Sequence, residues 1–387
     1  MQPAARYSAA IEVLDVIRSG QPPEKALTHW ARGHRFAGSK DRAAIRDIVF
    51  DVLRNRRSAE VAGGGHDGRS VVLGLLRLSD IPVTSVFGAG GHAPAMLTPA
   101  EEIAGGVPTG EDKLNLPSEL IPMWRSDLGS KAETTALALQ QRAPITLRIT
   151  SGRVTVAQAI AALADDEIVA EPDDQVPTAL RVVKNERRLR NSSAYEQGLV
   201  DLQDASSQRA VAALSLTGKD RVLDYCAGGG GKALAIADMH LCQVTAHDIN
   251  PARTADIIPR ARRAGLTVDV VSTEALASME GFDLVFCDAP CSGSGTWRRN
   301  PQEKWDFSLE KLFSYNRLQA DAIAGAVACL RPGGTLVYAT CSVFSVENEG
   351  AIADLVASGR FSLDQSELLL PDARGDGFYW AHLTQIQ

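Results

Sequence analysis

Cysteine is absent from the first 225 residues of this chain, and none of its six cysteines forms a C-x-x-C pair. This distribution disfavours the disulfide framework of a small secreted protein, and the spacings do not suit a structural zinc site. We therefore expect free thiols and no metal. The six are Cys226, Cys242, Cys287, Cys291, Cys329 and Cys341.

Long apolar runs and a large excess of one charge are also missing. No run approaches the roughly 18 apolar residues of a membrane span, and no signal-peptide core follows the N-terminus. The formal net charge of −7 gives the 387-residue chain no overall attraction for nucleic acid, so any such contact must use local basic patches. We expect a cytoplasmic, monomeric globular protein with several domains and no membrane association.

The hydrophobic pattern changes along the chain. Residues 1–85 carry apolar side chains at helical spacing, residues 86–116 are rich in Gly and Pro and indicate a linker, and residues 117–200 indicate a small α+β module. Residues 201–387 alternate strands with helices, which is typical of a parallel sheet with helices on both faces. We predict an α/β fold class, a Rossmann-like domain preceded by an α+β module and an all-α domain. Its predicted strands are Arg221–Tyr225, Gln243–Asp248, Thr267–Val271, Asp283–Cys287 and Thr335–Thr340, with two late strands at Phe361–Leu363 and Phe378–Leu383.

The first strand of this region leads into a glycine-rich turn and a helix predicted over 231–240. Glycine there lets the backbone approach a ligand closely at a helix N-terminus. Asp248 ends the next strand, 20 residues after Gly228, where an acidic side chain can accept hydrogen bonds from a ribose. The pattern predicts a nucleotide-type cofactor without distinguishing a dinucleotide from S-adenosylmethionine. The turn residues are Cys226, Ala227, Gly228, Gly229, Gly230, Gly231 and Lys232.

Two cysteines follow predicted strands. Cys291 comes shortly after Asp288, and Cys341 directly follows Thr340. Because the strands that end at Asp288 and Thr340 should lie side by side, both thiols would project into one cleft. The alternative is that both cysteines are small buried residues at strand ends.

A site of this composition suits methylation of cytosine at carbon 5. A thiolate that adds to carbon 6 makes carbon 5 nucleophilic, and a carboxyl such as Asp288 can hold the nitrogen edge of the base. A second thiol near carbon 5 would assist release, and Lys232 could lower a thiol pKa or orient the base. Arg298, Arg299 and Lys304 form a basic patch that could contact RNA phosphates, with an ordinary solvated surface as the competing interpretation.

These motifs resemble the RsmB-type (Sun) family of S-adenosylmethionine-dependent RNA cytosine carbon-5 methyltransferases. The resemblance covers residues 200–387 and, more weakly, 117–200, while residues 1–85 are similar to a NusB-like RNA-binding domain. The motifs that carry it are Leu202–Ser207, Val222–Lys232, Asp288–Gly295, Arg298–Pro301, Ala339–Ser342 and Glu347-Asn348.

The resemblance implies roles for individual residues. In that family the thiol after Thr, here Cys341, is the nucleophile, and the Pro-Cys thiol, here Cys291, serves product release. Asp248 would hold the ribose of S-adenosylmethionine, residues 117–200 would bind RNA, and the partner would be RNA, in the first place ribosomal RNA. A non-catalytic RNA-binding or ribosome-assembly factor on the same fold stays open as the alternative. A nicotinamide-dependent oxidoreductase is disfavoured, because paired thiols have no role in hydride transfer.

The chain departs from the family pattern in three places, one of which is Thr150, where the family commonly has an Asn in the α+β module. The cofactor turn, usually Ala-Pro-Gly-Gly-Lys-Thr, is here four glycines followed by Lys232 and Ala233, which keeps the lysine. After the third strand, Ser272 and Thr273 stand where the family has an acidic residue near the adenine, and Glu274 is the nearest acidic residue.

Overall fold

A computed structural model of the chain describes residues 1–386, which form two compact units. Unit 1 comprises Met1–Arg142 together with Trp297–Phe307. Unit 2 comprises Ala143–Thr296 and the chain from Ser308 onward. The Arg298–Lys304 segment therefore belongs to the first unit, although its sequence neighbours on both sides belong to the second.

None of the helices within residues 1–386 is both long enough and apolar enough to cross a membrane. The α-helices are α1 (Pro3–Arg18), α2 (Pro23–Gly33), α3 (Ser39–Arg54), α4 (Arg56–Gly63), α5 (Gly68–Arg77), α6 (Pro99–Ile103), α7 (Ile121–Leu128), α8 (Ala132–Ala138), α9 (Val156–Asp165), α10 (Ser193–Glu196), α11 (Ala205–Ala212), α12 (Gly231–His240), α13 (Ile257–Ala264), α14 (Thr273–Leu276), α15 (Pro301–Trp305), α16 (Leu309–Ala328) and α17 (Glu349–Ala357). Short 3-10 helices lie at Val83–Ser85, Gly110–Leu114, Ser118–Leu120, Gly129–Lys131, Glu186–Asn191, Pro251–Thr254 and Ser345–Glu347.

Unit 1 is built on a helical core, as the apolar spacing predicts. Val13 and Ile17 of α1 and Val49 of α3 are buried in one cluster with side chains of α5. The linker 86–116 stays a prediction, and its residues Val86 and Phe87 are buried in the same cluster. The segment also contains α6 and the 3-10 helix Gly110–Leu114, and its apolar side chains pack it onto the helices.

The strands of unit 2 form two sheets. They are β1 (Ile145–Ile149), β2 (Val169–Pro172), β3 (Ala179–Lys184), β4 (Val200–Leu202), β5 (Arg221–Asp224), β6 (Gln243–Ala246), β7 (Asp269–Val270), β8 (Phe282–Asp288), β9 (Leu330–Thr340), β10 (Phe361–Leu369) and β11 (Phe378–Gln385).

The smaller sheet has the antiparallel order β2-β3-β1-β4. Helix α9 begins with a capping box, in which Thr155 and Gln158 bond to each other's backbone amides, and it buries Ala159 and Leu163. The predicted boundaries at 117 and 200 stay predictions. The compact units divide at Arg142, so α7 and α8 fall in unit 1.

The larger sheet has the order β10-β11-β9-β8-β5-β6-β7, parallel from β9 to β7, with β10 and β11 antiparallel. Helices α11, α12 and α13 contribute to an apolar cluster on one face, and α16 and α17 contribute to the cluster on the other. The predicted α/β fold class is confirmed. Because a parallel sheet covered on both faces is fully buried, its central strands are continuous apolar runs, as in Val285-Phe286-Cys287.

Candidate functional site

The candidate site lies at the carboxyl ends of β5, β8 and β9, which are neighbours in the large sheet. The register pairs Asp288 with Ala339, so the turns that follow β8 and β9 begin side by side. The prediction that the strands ending at Asp288 and Thr340 are adjacent is confirmed. In open α/β sheets this edge is where ligands bind.

The glycine-rich turn after β5 has a backbone that requires glycine. Gly228 and Gly230 have φ angles of +50° and +79°, in the left-handed region. A Cβ added to Gly230 would lie 2.7 Å from Cγ1 of Ile257. The turn ends at Gly231, where α12 begins. The predicted glycine turn leading into a helix N-terminus is therefore present, and cofactor binding by it stays a prediction.

Asp248, after β6, holds this turn in shape. Its carboxylate accepts hydrogen bonds from the backbone N–H of Gly228 and of Asn250, each at 2.9 Å. The Arg253 guanidinium lies 3.2 Å from the same carboxylate. Asp248 is thus held between the glycine turn and the exposed Arg253. Its carboxylate can both order the turn and bind a ligand.

Asp224, the last residue of β5, is a site residue that the sequence reasoning missed. It is 1% exposed, and its Oδ2 accepts the Ala233 N–H at 2.9 Å. Burial raises the pKa of this carboxyl to about 7. Its Oδ1 has no hydrogen-bond partner within residues 1–386. A buried carboxylate oxygen without a partner beside a glycine turn suits a donor group of a ligand. The position of Asp224 at the end of β5 was the signal from which the sequence could have indicated this residue.

The residues after β7 include Ser272 and Thr273, in place of the acidic residue that would contact an adenine. Thr273 Oγ1 lies 2.9 Å from Nε2 of His247, and the Ser272 side chain caps α14 by accepting the Ala275 N–H. Glu274 is exposed, and its hydrogen bond with the Ser272 side chain lowers its pKa. A polar His247–Thr273 pair therefore occupies this end of the sheet edge.

Lys232 and Asp288 form an ion pair, with 2.6 Å between Nζ and Oδ2. The lysine side chain is 18% exposed and lies over the Phe378 ring, 5.4 Å from its centroid. Partial burial acts to lower the pKa of Lys232, but the charge of Asp288 and the hydrogen bond to it outweigh burial, so the pKa is raised. The structure brings these two predicted residues together as a charged pair.

The two predicted thiols also meet. The sulfur atoms of Cys291 and Cys341 lie 3.4 Å apart, and both side chains are partly buried. The hydrogen bond to Cys341 and then burial raise the pKa of Cys291 well above its usual value. Cys291 therefore carries its proton at neutral pH, and either sulfur can donate the S–H of this contact. Cys341 follows β9, and the register pairs Asp288 with Ala339 of that strand, so this thiol and the ion pair lie at the same end of neighbouring strands.

A polar network beneath the thiols was not predicted. Glu347 is fully buried and accepts hydrogen bonds from Ser292, Ser342 and Gln319. The Glu347-Asn348 dipeptide is part of the motif pattern of the sequence, but its spacing carries no signal for this role. Gln319 comes from α16 and joins the network only through the fold.

The three predicted RNA contacts lie in unit 1. Arg298 is 2% exposed and its carbonyl accepts a hydrogen bond from Arg54, while Lys304 is 1% exposed and donates to the Arg54 carbonyl at 3.1 Å. Burial lowers the pKa of Lys304 to about 7. Arg299 is exposed. Phosphate contact by Arg298 or Lys304 would require them to leave these buried positions, and RNA contact by all three stays a prediction.

Two family models match this chain. One, described as 16S rRNA methyltransferase RsmB/F, matches residues 211–384, and the other, described as an RsmF/B-like ferredoxin-like domain, matches residues 116–187. Ribosomal RNA small subunit methyltransferase B of Xanthomonas campestris pv. campestris is 30% identical over 383 residues, which cover 90% of this chain and 86% of that protein. The protein of the same name from Sodalis glossinidius is 33% identical over 265 residues, covering 64% and 60%.

Two solved structures share the fold. The crystal structure of PH0851 superposes with a TM-score of 0.78 at 22% identity and covers 99% of both chains. NSun6 from Pyrococcus horikoshii, solved with SFG, has a TM-score of 0.63 at 18% identity and covers 70% of this chain and 98% of that one.

Proposed function

Because the chain belongs to the 16S rRNA methyltransferase RsmB/F family, we propose that it transfers a methyl group from S-adenosylmethionine to carbon 5 of a cytosine in ribosomal RNA. The family resemblance seen in the sequence is thereby confirmed. The observation that carries the finer proposal is the 3.4 Å contact between the sulfurs of Cys291 and Cys341, beside an ion pair of Lys232 and Asp288. Two thiols, one carboxylate and one ammonium are the groups that this chemistry needs.

The residues around the glycine turn fit S-adenosylmethionine. When bound, this cofactor supplies a methyl group on a positively charged sulfur, an electrophile for a nucleophilic carbon. The turn Gly228–Gly231 would accommodate it at the helix N-terminus, and Asp248 would accept hydrogen bonds from its ribose hydroxyls. The unpartnered Oδ1 of Asp224 would accept from its ammonium group. The same cation would offset the burial that raises the pKa of Asp224.

Cys341 is the nucleophile in this proposal. Its sulfur forms a bond to carbon 6 of the cytosine, and the electron pair of the 5,6 double bond becomes available at carbon 5, which takes the methyl group. Asp288 holds the nitrogen edge of the base, and Lys232 keeps that carboxylate oriented through their ion pair. The base must leave its stack for both faces to be reached.

Release of the product restores Cys341. The carbon-5 proton passes to solvent, the double bond re-forms, and the bond between sulfur and carbon 6 breaks. Cys291 carries its proton at neutral pH and can donate its S–H toward the Cys341 sulfur. It thereby stabilises the negative charge that returns to that sulfur, which assigns Cys291 to elimination.

The test is methyl transfer from labelled S-adenosylmethionine to unmodified small-subunit ribosomal RNA, followed by bisulfite sequencing to locate the product. We expect 5-methylcytosine with the unaltered protein and neither product nor covalent adduct with Cys341→Ala. Full activity of Cys341→Ala would contradict the nucleophile assignment. An unaltered protein that binds the RNA without methylating it would favour the non-catalytic alternative.

A further inference from the structure

The two cysteine-bearing turns are held by one buried carboxylate. Ser292 directly follows Cys291, and Ser342 directly follows Cys341. Both serine hydroxyls donate to the same oxygen, Oε2 of Glu347, at 2.5 Å each. The side chain of Glu347 thus bridges the residues next to the two thiols, although the turns come from different strands.

The other oxygen of the Glu347 carboxylate adds two contacts. Oε1 accepts the backbone N–H of Ser292 at 2.8 Å and the amide of Gln319 at 3.0 Å. The Gln319 amide also donates to the carbonyl of Pro290 at 3.0 Å, on the other side of Cys291. The residues before and after Cys291 are therefore both tied to this network. The four named donors to the carboxylate are neutral, and Glu347 is 0% exposed. A buried carboxylate is costly unless it is hydrogen-bonded, and these four hydrogen bonds stabilise Glu347 in this position.

We propose that Glu347 is a positioning residue that sets the distance between the Cys291 and Cys341 sulfurs by binding Ser292 and Ser342 with one carboxylate. The catalytic consequence of this inference rests on the proposed function. The hydrogen-bond geometry around Glu347 is independent of that function. Separation of the thiols would remove Cys291 from Cys341 at the elimination step and affect the addition step less. A misplacement of about 1 Å at such a site can cost on the order of a hundredfold in rate.

Other bonds between the turns make substitution of Glu347 feasible. The Gly295 N–H donates to the carbonyl of Cys341 at 2.9 Å, and the Val343 N–H donates to the Ser294 hydroxyl at 2.8 Å. Glu347→Gln has nearly the same size but replaces one carboxylate oxygen by a donor, so it cannot accept all four hydrogen bonds. The matched control is Glu349→Gln, which alters an exposed side chain two residues further along the chain.

The first readout measures thiol proximity without methyl transfer. An azodicarboxamide oxidant forms the bond between two nearby sulfurs and takes up both thiol hydrogens and the two electrons. Peptide mapping by mass spectrometry would follow the Cys291–Cys341 bridge with time. We expect slower bridging in Glu347→Gln by at least about tenfold, and unaltered bridging in Glu349→Gln. Equal bridging rates in the unaltered protein and Glu347→Gln would overturn the proposal.

The second readout separates elimination from addition. With ribosomal RNA and S-adenosylmethionine, Glu347→Gln should accumulate covalent adduct while its turnover falls, and its binding of S-adenosylhomocysteine should stay within about twofold of normal. A purely structural role would lower the thermal midpoint and all activities together, without adduct. If Glu347→Gln does not fold, the Ser292→Ala/Ser342→Ala double variant carries both readouts. Absent methylation by the unaltered protein would contradict the proposed function. Normal bridging in the substituted protein would contradict the positioning role.

Discussion

The sulfur of Cys291 lies 3.4 Å from the sulfur of Cys341, across 50 residues of sequence. The contact arises because β8 and β9 are adjacent parallel strands and each thiol lies in the turn that follows its strand. The hydrogen bond to Cys341 and then burial raise the pKa of Cys291. The raised pKa suits Cys291 to a role as proton donor in elimination, while the family resemblance gives Cys341 the role of nucleophile.

Replacement of Cys291 by alanine should trap the reaction after methyl transfer. Without the S–H donor, the bond between Cys341 and carbon 6 breaks slowly, and a covalent complex of protein and RNA accumulates. The complex would migrate slowly on a denaturing gel and carry labelled methyl. The Cys291→Ala/Cys341→Ala double variant should give no such band. Normal turnover of Cys291→Ala without adduct would exclude the elimination role.

Replacement of Lys232 by methionine should lower kcat by about a hundredfold or more, the range found for groups that position or assist proton transfer. The change removes the cation that orients Asp288 at 2.6 Å. Binding of S-adenosylhomocysteine, measured by calorimetry, should change far less than kcat. Lys219→Met, an exposed lysine in the same unit, serves as control. An effect confined to cofactor binding would remove Lys232 from the base-binding part of the site.

Replacement of Asp248 by asparagine should weaken S-adenosylhomocysteine binding by about 10- to 100-fold, because a hydrogen bond to a charged group contributes roughly 1.5 to 3 kcal/mol. The variant loses the charge that pairs with Arg253 and weakens the bond to the Gly228 amide. Calorimetry with the purified protein measures this directly. The exposed Asp269→Asn should bind normally, and equal affinities for all three proteins would contradict the ribose assignment.

Lys304→Met should stabilise unit 1 most at low pH. Burial lowers the pKa of Lys304 from 10.5 to about 7, so the folded state disfavours the charged form. The penalty is fully present below pH 7, and it disappears as the pH rises toward 10.5, where the unfolded chain also loses the proton. We expect a gain of about 1 to 3 kcal/mol at pH 6 that shrinks by pH 10, followed through thermal midpoints. The exposed Lys40→Met should show no such pH dependence.

Much of the large sheet could be predicted because its signals are local. The helix predicted over 231–240 coincides with α12, and the strands ending at Asp288 and Thr340 are present and adjacent. The late strand predicted at Phe361–Leu363 extends to Leu369, beyond the prediction. Its polar Asp364 and Gln365 hide the pattern, because β10 is at the sheet edge, where polar residues are common.

Burial of charged groups could not be predicted in the same way. The charges of Arg298 and Lys304 indicate a surface, yet both are enclosed in unit 1 with Arg54, more than 200 residues earlier in the sequence. Sequence patterns report the average preference of a side chain for water. They do not report which distant carbonyl or ring can replace that water.

The amino-acid sequence by itself determined the strand order along the chain, the glycine turn and the identity of the two thiols and their charged companions, because each is encoded within a few neighbouring residues. Only the tertiary structure decided that the thiols touch, that Lys232 pairs with Asp288, and that Glu347 joins the two turns. Those relationships depend on strand register and on packing between side chains that are far apart in the sequence. A shift of about an ångström makes or breaks such a hydrogen bond, and no local sequence pattern encodes the distance between the two atoms.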